Sequence, residues 1–557
     1  MDYREYERWL NHPNLLATDK DILAKMTEQE IKDAFYTDIQ FGTAGMRGLM
    51  GLGTNRLNIY TIRKATQGFA DYLNKNNLHK VAIAYDNRYN SKEFAFDCAK
   101  LLASNGIDSY IFDSLRPTPE LSFAVRYLGC DGGIMVTASH NPKEYNGYKL
   151  YDETGCQLIP ELAQKVIDEI DRIDDLLEIV PKQDYDTSLV HIVGEEVDRA
   201  YYDAVLSIQL RKDVKKDFKI AFSPEHGTSY LPVMKTMKEA GYDVVEVLEQ
   251  SNPDPAFSNT KTPNPEEKGA YEKVLELAEK IDAKLLLVTD PDGDRMGVGI
   301  LHEGRYEVLN GNQTGALLLE YILSSQEDLG IKIENPCMFN TVVTSDIGEA
   351  IARSHGCDNE RTLTGFKYIG NKVKQYEKTH EKNYVFGYEE SYGSLISPFV
   401  RDKDATQACL LLAEACAHYL EQGKTLIDVM NEAYARVGYY YDTQFSIMLP
   451  GADGAVKLQE IMANVRQNPL NVPGYKTMKI EDYKLQKLIH DGIEETFDKY
   501  DVSDVLKYYL EDGSFICIRP SGTEPKCKCY LSVKAASMEE AKEKCNGFIE
   551  YVKTILK

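Results

Sequence analysis

A chain of 557 residues is too long for one hydrophobic core and predicts roughly three to five domains of ~100–200 residues each. Hydrophobic content of 43% beside 27% charged residues is the balance of a water-soluble globular protein. A net charge of -24 excludes a general nucleic-acid binder, which needs a basic face to neutralise phosphates. The segment Met1-Asp2-Tyr3-Arg4-Glu5-Tyr6 is charged and aromatic, unlike a signal peptide, and no apolar run approaches the ~20 residues that span a bilayer. Eleven scattered cysteines lack zinc-site pairing, so reduced thiols in a cytoplasmic protein with no nucleic-acid or membrane partner are expected. An anionic substrate would have to be drawn in by local Lys and Arg against this mean field.

In chain order, a helix is expected over 21–36, with Thr27 and Glu30 as a capping box. The glycine-rich stretch 41–48 carries Arg47 and is no dinucleotide fingerprint, because it follows a helix rather than a strand. Helices near 61–74 and 91–104 alternate with strands at 81–85, 107–112 and 132–136, implying a mainly parallel, helix-flanked sheet. Thr137-Ala138-Ser139-His140-Asn141-Pro142 breaks the last strand. Ser139 is therefore placed on a loop at a strand's carboxyl end, where open α/β sheets put ligand chemistry. His140, Asn141 and Lys149 could handle a proton or an anion there, although turn statistics alone also allow an ordinary turn.

The same grammar restarts with a strand at 219–222, the turn Pro224-Glu225-His226-Gly227, a helix to 240 and a strand at 243–247. A polar loop with four prolines covers 251–265, a helix 266–281, and a strand at 284–288 delivers Asp290-Pro291-Asp292-Gly293-Asp294-Arg295. Three carboxylates at alternate positions can converge on one hard cation such as Mg²⁺, and they are costly after an apolar strand without one. A calcium EF-hand fails, since Leu301 stands at the twelfth position.

A third α/β unit holds a strand at 337–343, a helix at 346–354 and a loop at 364–370 containing Gly365 and Lys367. Its G-x-x-x-x-G skeleton is followed by Asn371-Lys372, which disfavours a nucleotide-triphosphate site. A strand at 383–386 then ends in Gly387-Tyr388-Glu389-Glu390-Ser391-Tyr392-Gly393, whose acids and hydroxyl could grip a sugar. Beyond helices at 404–420 and 426–436, antiparallel strands in 439–449 and 514–534 with helices between and after form an α+β unit. Its centre, Arg519-Pro520-Ser521-Gly522-Thr523-Glu524-Pro525-Lys526, combines a guanidinium fork, hydroxyls and a close-approach glycine suited to phosphate. The expected boundaries are 1–207 (with an N-terminal helical extension), 208–311, 312–432 and 433–557.

Together T-A-S-H-N-P, D-P-D-G-D-R, G-Y-E-E-S and R-P-S-G-T-E-P-K, one per expected domain, resemble the α-D-phosphohexomutase superfamily. The resemblance is closest to its phosphoglucomutase members and to the branch that includes phosphopentomutases, and it covers nearly the whole chain from Phe41. It implies an α/β fold of three related mixed or parallel-sheet domains followed by a smaller α+β domain, heart-shaped around a central cleft. The implied activity is an isomerase's interconversion of α-D-glucose 1-phosphate and D-glucose 6-phosphate through a phosphoserine enzyme and glucose 1,6-bisphosphate. One Mg²⁺ per chain, the bisphosphate as activator, a sugar-phosphate substrate and a monomer or weak homodimer come with it.

By position, Ser139 would be the phosphoserine, and Asp290, Asp292 and Asp294 would hold the metal together with an oxygen on Ser139. Arg47, Lys149 and His140 would serve catalysis, with Lys149 favoured over His140 as general acid or base. Arg295, Gly365, Lys367, Glu389 and Ser391 would bind substrate, and Arg519, Ser521, Gly522 and Thr523 its non-transferring phosphate. Tyr388 stands where many members have Gly, and Gly393 where phosphomannomutase-type members have His. A phosphopentomutase is thus the alternative, with a phosphomannomutase or a sugar phosphatase behind it. A hinge near 436–441 is expected to close the last domain's cradle over the cleft.

Overall fold

The computed structural model describes residues 3–42, 45–449, 454–520 and 526–556. The chain divides into two compact units, Met1–Gly311 with Phe366–Thr425 and Asn312–Gly365 with Leu426–Lys557.

In the first unit two sheets repeat one plan. The first has the order Met46–Leu49, Tyr145–Asp152, Gly132–Val136, Lys80–Tyr85, Asp108–Phe112, Val190–Val193. The last four strands are parallel, and the first two are added antiparallel. The second has the order Arg305–Leu309, Met296–His302, Leu285–Thr289, Lys219–Ser223, Asp243–Glu246, again a parallel core with an antiparallel edge. Leu285, Leu286, Leu287 and Val288 have no exposed surface, as expected of a central strand covered on both faces. Burying each contributes about 1.5–3 kcal/mol, enough for this strand to carry charged residues at its end.

A third strand, Asn383–Tyr388, likewise turns back into an antiparallel partner, Ser394–Leu395. The loops after Gly132–Val136, Leu285–Thr289 and Asn383–Tyr388 are therefore equivalent in construction. They are the Ser139, Asp290–Asp294 and Glu389 loops.

The second unit contains the parallel pair Pro336–Thr341 and Asp358–Thr362 and a seven-stranded antiparallel sheet. That sheet runs Tyr439–Met448, Lys526–Ala535, Phe515–Pro520, Leu506–Leu510, Thr477–Asp482, Lys487–His490, Ile493–Thr496. Helices Gly454–Gln467 and Met538–Ile555 supply Leu458, Met462, Phe548 and Val552 to a core shared with Ile516, Ile518 and Leu531.

Three expectations are corrected. The helix expected over 21–36 is two, Ala17–Leu23 and Glu28–Phe35, with the Thr27–Glu30 capping box opening the second. The helix expected at 266–281 starts as a 3₁₀ turn, Lys268–Tyr271, and is α-helical over Glu272–Ile281. The loop expected at 364–370 enters helix Phe366–Thr379, so Lys367 lies in a first helical turn. All eleven cysteines are buried and free, and among the described residues no helix is long and apolar enough to cross a membrane.

In the second unit His355 bridges Glu320 at 3.2 Å and Glu327 at 2.8 Å, and Arg436 also pairs with Glu320. The hydrogen bond to Glu320 leads the effects that raise the His355 pKa above its usual value. A raised histidine stabilises the fold fully below the unfolded pKa of about 6.5 and loses that contribution as pH rises through the folded value. Denaturant titrations from about pH 6 to about pH 9 should therefore show the gap between wild type and His355→Gln shrinking with pH. A constant gap would contradict this.

Candidate active site

Ser139 is 3% exposed and adopts φ 52°, the left-handed region that costs a non-glycine residue about 1–3 kcal/mol. Its N–H donates to Thr137 Oγ1 at 2.8 Å. Its hydroxyl donates to Asp290 Oδ2 at 2.9 Å and lies 3.2 Å from His140 Nδ1. Burial, together with the guanidinium charges of Arg295 and Arg47, holds the His140 imidazole well below its ordinary pKa, so it is neutral.

Asp290, Asp292 and Asp294 are 0%, 0% and 2% exposed, and one oxygen from each lies within 4.8 Å of the others. Asp290 Oδ1 accepts the N–H groups of Asp294 and Arg295 at 3.1 and 3.0 Å. Asp292 Oδ2 accepts from Lys149 Nζ at 2.9 Å and Thr118 Oγ1 at 3.1 Å, and Asp294 Oδ2 lies 3.0 Å from Lys403 Nζ. The remaining oxygens, Asp292 Oδ1 and Asp294 Oδ1, are buried without a hydrogen-bond partner.

Burial and the charge of Asp292 push both Asp290 and Asp294 above the carboxylate range. Against the same burial, the Lys149 ammonium holds Asp292 below that range. Two orphaned anionic oxygens in a cluster of three carboxylates are the donor set of a hard divalent cation, and the triad is able to hold one.

A second cluster, His12, Asp175 and Glu178, is close enough for a metal. There the Asn14 N–H donates to His12 Nδ1 at 3.2 Å, which leaves the proton on Nε2, facing both carboxylates. Nε2 faces both carboxylates, which makes this cluster a hydrogen-bonded latch.

Neighbouring segments hold the Asp loop in place. Thr118 N–H donates to Asp292 O at 2.8 Å, and both Thr228 N–H and Oγ1 donate to Pro291 O at 2.9 Å. The predicted sugar loop joins it through Met296 N–H to Tyr392 O, 3.0 Å, and a bridge between Arg295 and Gly393. A Cβ on Gly393 would sit 1.9 Å from Lys403 Cδ. Glycine at 393 leaves room for the Lys403 stem, whose Nζ lies 3.0 Å from Asp294 Oδ2.

Arg295 pairs with Glu266, and its Nε lies 3.9 Å from Asp294 Oδ1. Arg47 donates to Asn141 Oδ1 at 2.8 Å. It reaches there because Gly45, at φ 88°, rests where a Cβ would be 2.3 Å from Tyr148 O.

Glu389 is buried, and its charge acts on Arg295 and Lys403; Ser391 is half-buried in the same loop. Lys367 is buried, and desolvation pushes its pKa down to about 8. Gly365 precedes its helix at φ 120°. Arg519 lies in the second unit, on strand Phe515–Pro520 opposite Lys528. Ser521, Gly522 and Thr523 lie outside the described residues.

The first unit thus brings together Ser139, His140, Lys149, Arg47, the three aspartates, Arg295 and Glu389. Sequence reading missed Lys403, Thr118 and Arg88, which are attached to this constellation only through contacts distant in sequence.

Four family models match in order: phosphoglucomutase/phosphomannomutase alpha/beta/alpha domain I over 38–176, domain II over 199–302, domain III over 310–437, and the C-terminal domain over 460–545. A phosphoglucomutase of Staphylococcus epidermidis is 39% identical over 95% of this chain and 97% of its own. One of Staphylococcus aureus is 38% identical over 98% of each. The fold is shared with the parafusin (phosphoglucomutase) of Paramecium, with a TM-score of 0.69 and 19% identity over 94% of this chain and 95% of that one. It is shared also with a phosphoglucomutase/phosphomannomutase family protein of Burkholderia thailandensis, with a TM-score of 0.68 and 18% identity over 93% and 98%. With every domain matched in sequence order and near-complete coverage by relatives, the chain belongs to the phosphoglucomutase/phosphomannomutase family.

Proposed function

We propose that this enzyme interconverts α-D-glucose 1-phosphate and D-glucose 6-phosphate, with Ser139 as the phosphoryl carrier and glucose 1,6-bisphosphate as intermediate and activator. The observation that carries the reading is the Ser139 hydroxyl held 2.9 Å from Asp290 at the edge of a buried carboxylate triad. The phosphoglucomutase names of the staphylococcal relatives support glucose as the hexose.

In the forward half-reaction the bond from phosphorus to Ser139 Oγ breaks as one forms to the free sugar hydroxyl. That hydroxyl's proton passes to a base, and Ser139 Oγ regains one. After the bisphosphate turns over, the reverse sequence returns its other phosphate to Ser139. Such transfers depend on positioning and charge neutralisation more than on covalent assistance. Mg²⁺ held by Asp290, Asp292 and Asp294 would supply Lewis-acid neutralisation when bound. Arg47, Arg295 and Lys403 add local positive charge, which answers how a chain of net charge -24 accepts an anion.

His140 and Lys149 remain the candidates for proton transfer. Neutral His140, 3.2 Å from Ser139 Oγ, has a lone pair to offer, whereas Lys149 is engaged with Asp292. In the forward transfer neutral His140 is accordingly assigned the proton that leaves the sugar hydroxyl, and the Lys149 ammonium the proton that Ser139 Oγ regains, the return transfer reversing both.

Lys367, as a substrate-orienting cation, is charged only below its pKa of about 8. The ratio kcat/KM should therefore fall on the alkaline side with a midpoint near about 8, and Lys367→Arg should move that limb upward. An identical limb in the variant would contradict the assignment. A coupled assay across glucose, ribose and mannose 1-phosphates tests the substrate. Glucose should lead; preferred turnover of ribose 1-phosphate would make the enzyme a phosphopentomutase, and stoichiometric release of free phosphate a phosphatase.

A further inference from the structure

We propose that Arg88 is a positioning residue that sets the Ser139 loop in its phosphoryl-carrying conformation. Arg88 lies just beyond strand Lys80–Tyr85, and its side chain has no exposed surface. Its Nη2 donates to Ser139 O at 2.6 Å and also to Asn141 O. Its Nη1 donates to Pro142 O at 2.9 Å and Tyr145 O at 3.0 Å. One guanidinium thus ties together four carbonyls of the loop that begins at Ser139 and ends at the antiparallel strand carrying Lys149.

The fork is itself held. Nε lies 3.3 Å from Asp86 Oδ2, and Asp86 Oδ1 is fixed by the Arg88 N–H at 2.9 Å and by Ser91 Oγ at 2.7 Å. The Phe257 ring lies 5.2 Å from the guanidinium carbon. Phe257 belongs to the four-proline loop, which the phosphoryl-transfer chemistry leaves without a role, and Glu266 just beyond that loop pairs with Arg295. The segment therefore backs both the Ser139 loop and the Asp loop.

The requirement for arginine follows from geometry. A planar guanidinium presents parallel donors to several acceptors at once, whereas an ammonium is a point charge with three donors and no fork. Without the fork, four desolvated carbonyls lose their donor, and the left-handed Ser139 is free to relax away from Asp290 Oδ2. Arg88 spends its Nη donors on backbone and so acts through Ser139, without touching substrate.

This role rests on Ser139 carrying the phosphoryl group. The test uses full-length Arg88→Lys, with Mn²⁺ titration of the aspartate triad as a control and intact-mass measurement of Ser139 phosphorylation by glucose 1,6-bisphosphate. Displacing a reacting atom by about 1 Å can cost ~100-fold in rate, so kcat should fall about 100-fold with KM changed less than about threefold. Mn²⁺ affinity should stay at the wild-type value, and Ser139 should be phosphorylated slowly. Wild-type kcat in Arg88→Lys, or a kcat loss matched by an equal loss of Mn²⁺ affinity, would overturn the proposal. Wild-type protein that takes no phosphoryl group would instead refute the carrier reading itself. Should Arg88→Lys not fold, Phe257→Leu removes only the ring; kcat lowered about fivefold at constant KM supports the role, and unchanged kcat overturns it.

Discussion

Ser139→Ala is expected to lower mutase turnover on the order of 10⁴-fold or more while leaving the fold and the three aspartate ligands of the cation in place. The loss should be this large because a mutase that regenerates its own carrier has no second route: a water-mediated transfer would end in hydrolysis, not isomerisation. The structural cost should be small. The substitution removes two hydrogen bonds, to Asp290 Oδ2 and with His140 Nδ1, each worth about 1 kcal/mol. Asp290 keeps the backbone N–H donors of Asp294 and Arg295 on Oδ1, so it stays partnered when the hydroxyl is lost. A coupled assay, thermal unfolding and Mn²⁺ titration separate these effects. Turnover within about tenfold of wild type would remove Ser139 from the centre of the chemistry.

The second large effect is expected from Asp292→Asn. Asp292 has no exposed surface and is the partner of Lys149 at 2.9 Å. Removing one partner of a buried ion pair costs about 3–5 kcal/mol, because the other charge stays buried and unpaired. Two like charges nearby, on Asp290 and Asp294, partly offset that cost when the third is neutralised. Stability should therefore fall by less than the full pair value, to about 1–3 kcal/mol.

Function has no such offset. The cation loses a charged ligand whose free oxygen, Oδ1, has no other partner, and Lys149 loses the group that aims it. Turnover should drop on the order of 10³-fold, together with a loss of Mn²⁺ affinity of at least about 100-fold. Mn²⁺ affinity equal to wild type in a folded Asp292→Asn protein would show that the triad is not the cation site.

How far the sequence foretold this depends on where each signal lives. Gly132–Val136 and Leu285–Thr289 were legible because central strands of a parallel sheet are continuous apolar runs, and the polar residues after them had to be loops. The Asp loop was legible because its chemistry is local: three carboxylates in five residues need a cation wherever the chain goes.

Strand Tyr145–Asp152 was not foreseen. Asn146, Gly147 and Lys149 are poor strand formers, and the strand exists through its register with Gly132–Val136 and Met46–Leu49. Gly365 and Gly370 make the sequence around Lys367 look like a loop. Yet Phe366, Ile369, Gly370 and Val373 are buried at helical spacing, so the period was present and the glycines outweighed it. Lys403, Thr118 and Arg88 gave no local sign: a charged run, a Thr-Pro step and a polar strand end occur in any protein. Their meaning comes from contacts with Asp294, Asp292 and the Ser139 loop, far away in sequence.

The most direct test of Ser139 as carrier is to incubate the enzyme with glucose 1,6-bisphosphate bearing radiolabelled phosphate, locate the label by peptide mapping, and chase it with unlabelled glucose 1-phosphate. A phosphoserine carrier requires the label on the peptide containing Ser139 and its release into sugar phosphate at least as fast as turnover. Label on another residue, or label that leaves Ser139 more slowly than the enzyme turns over, would contradict that role.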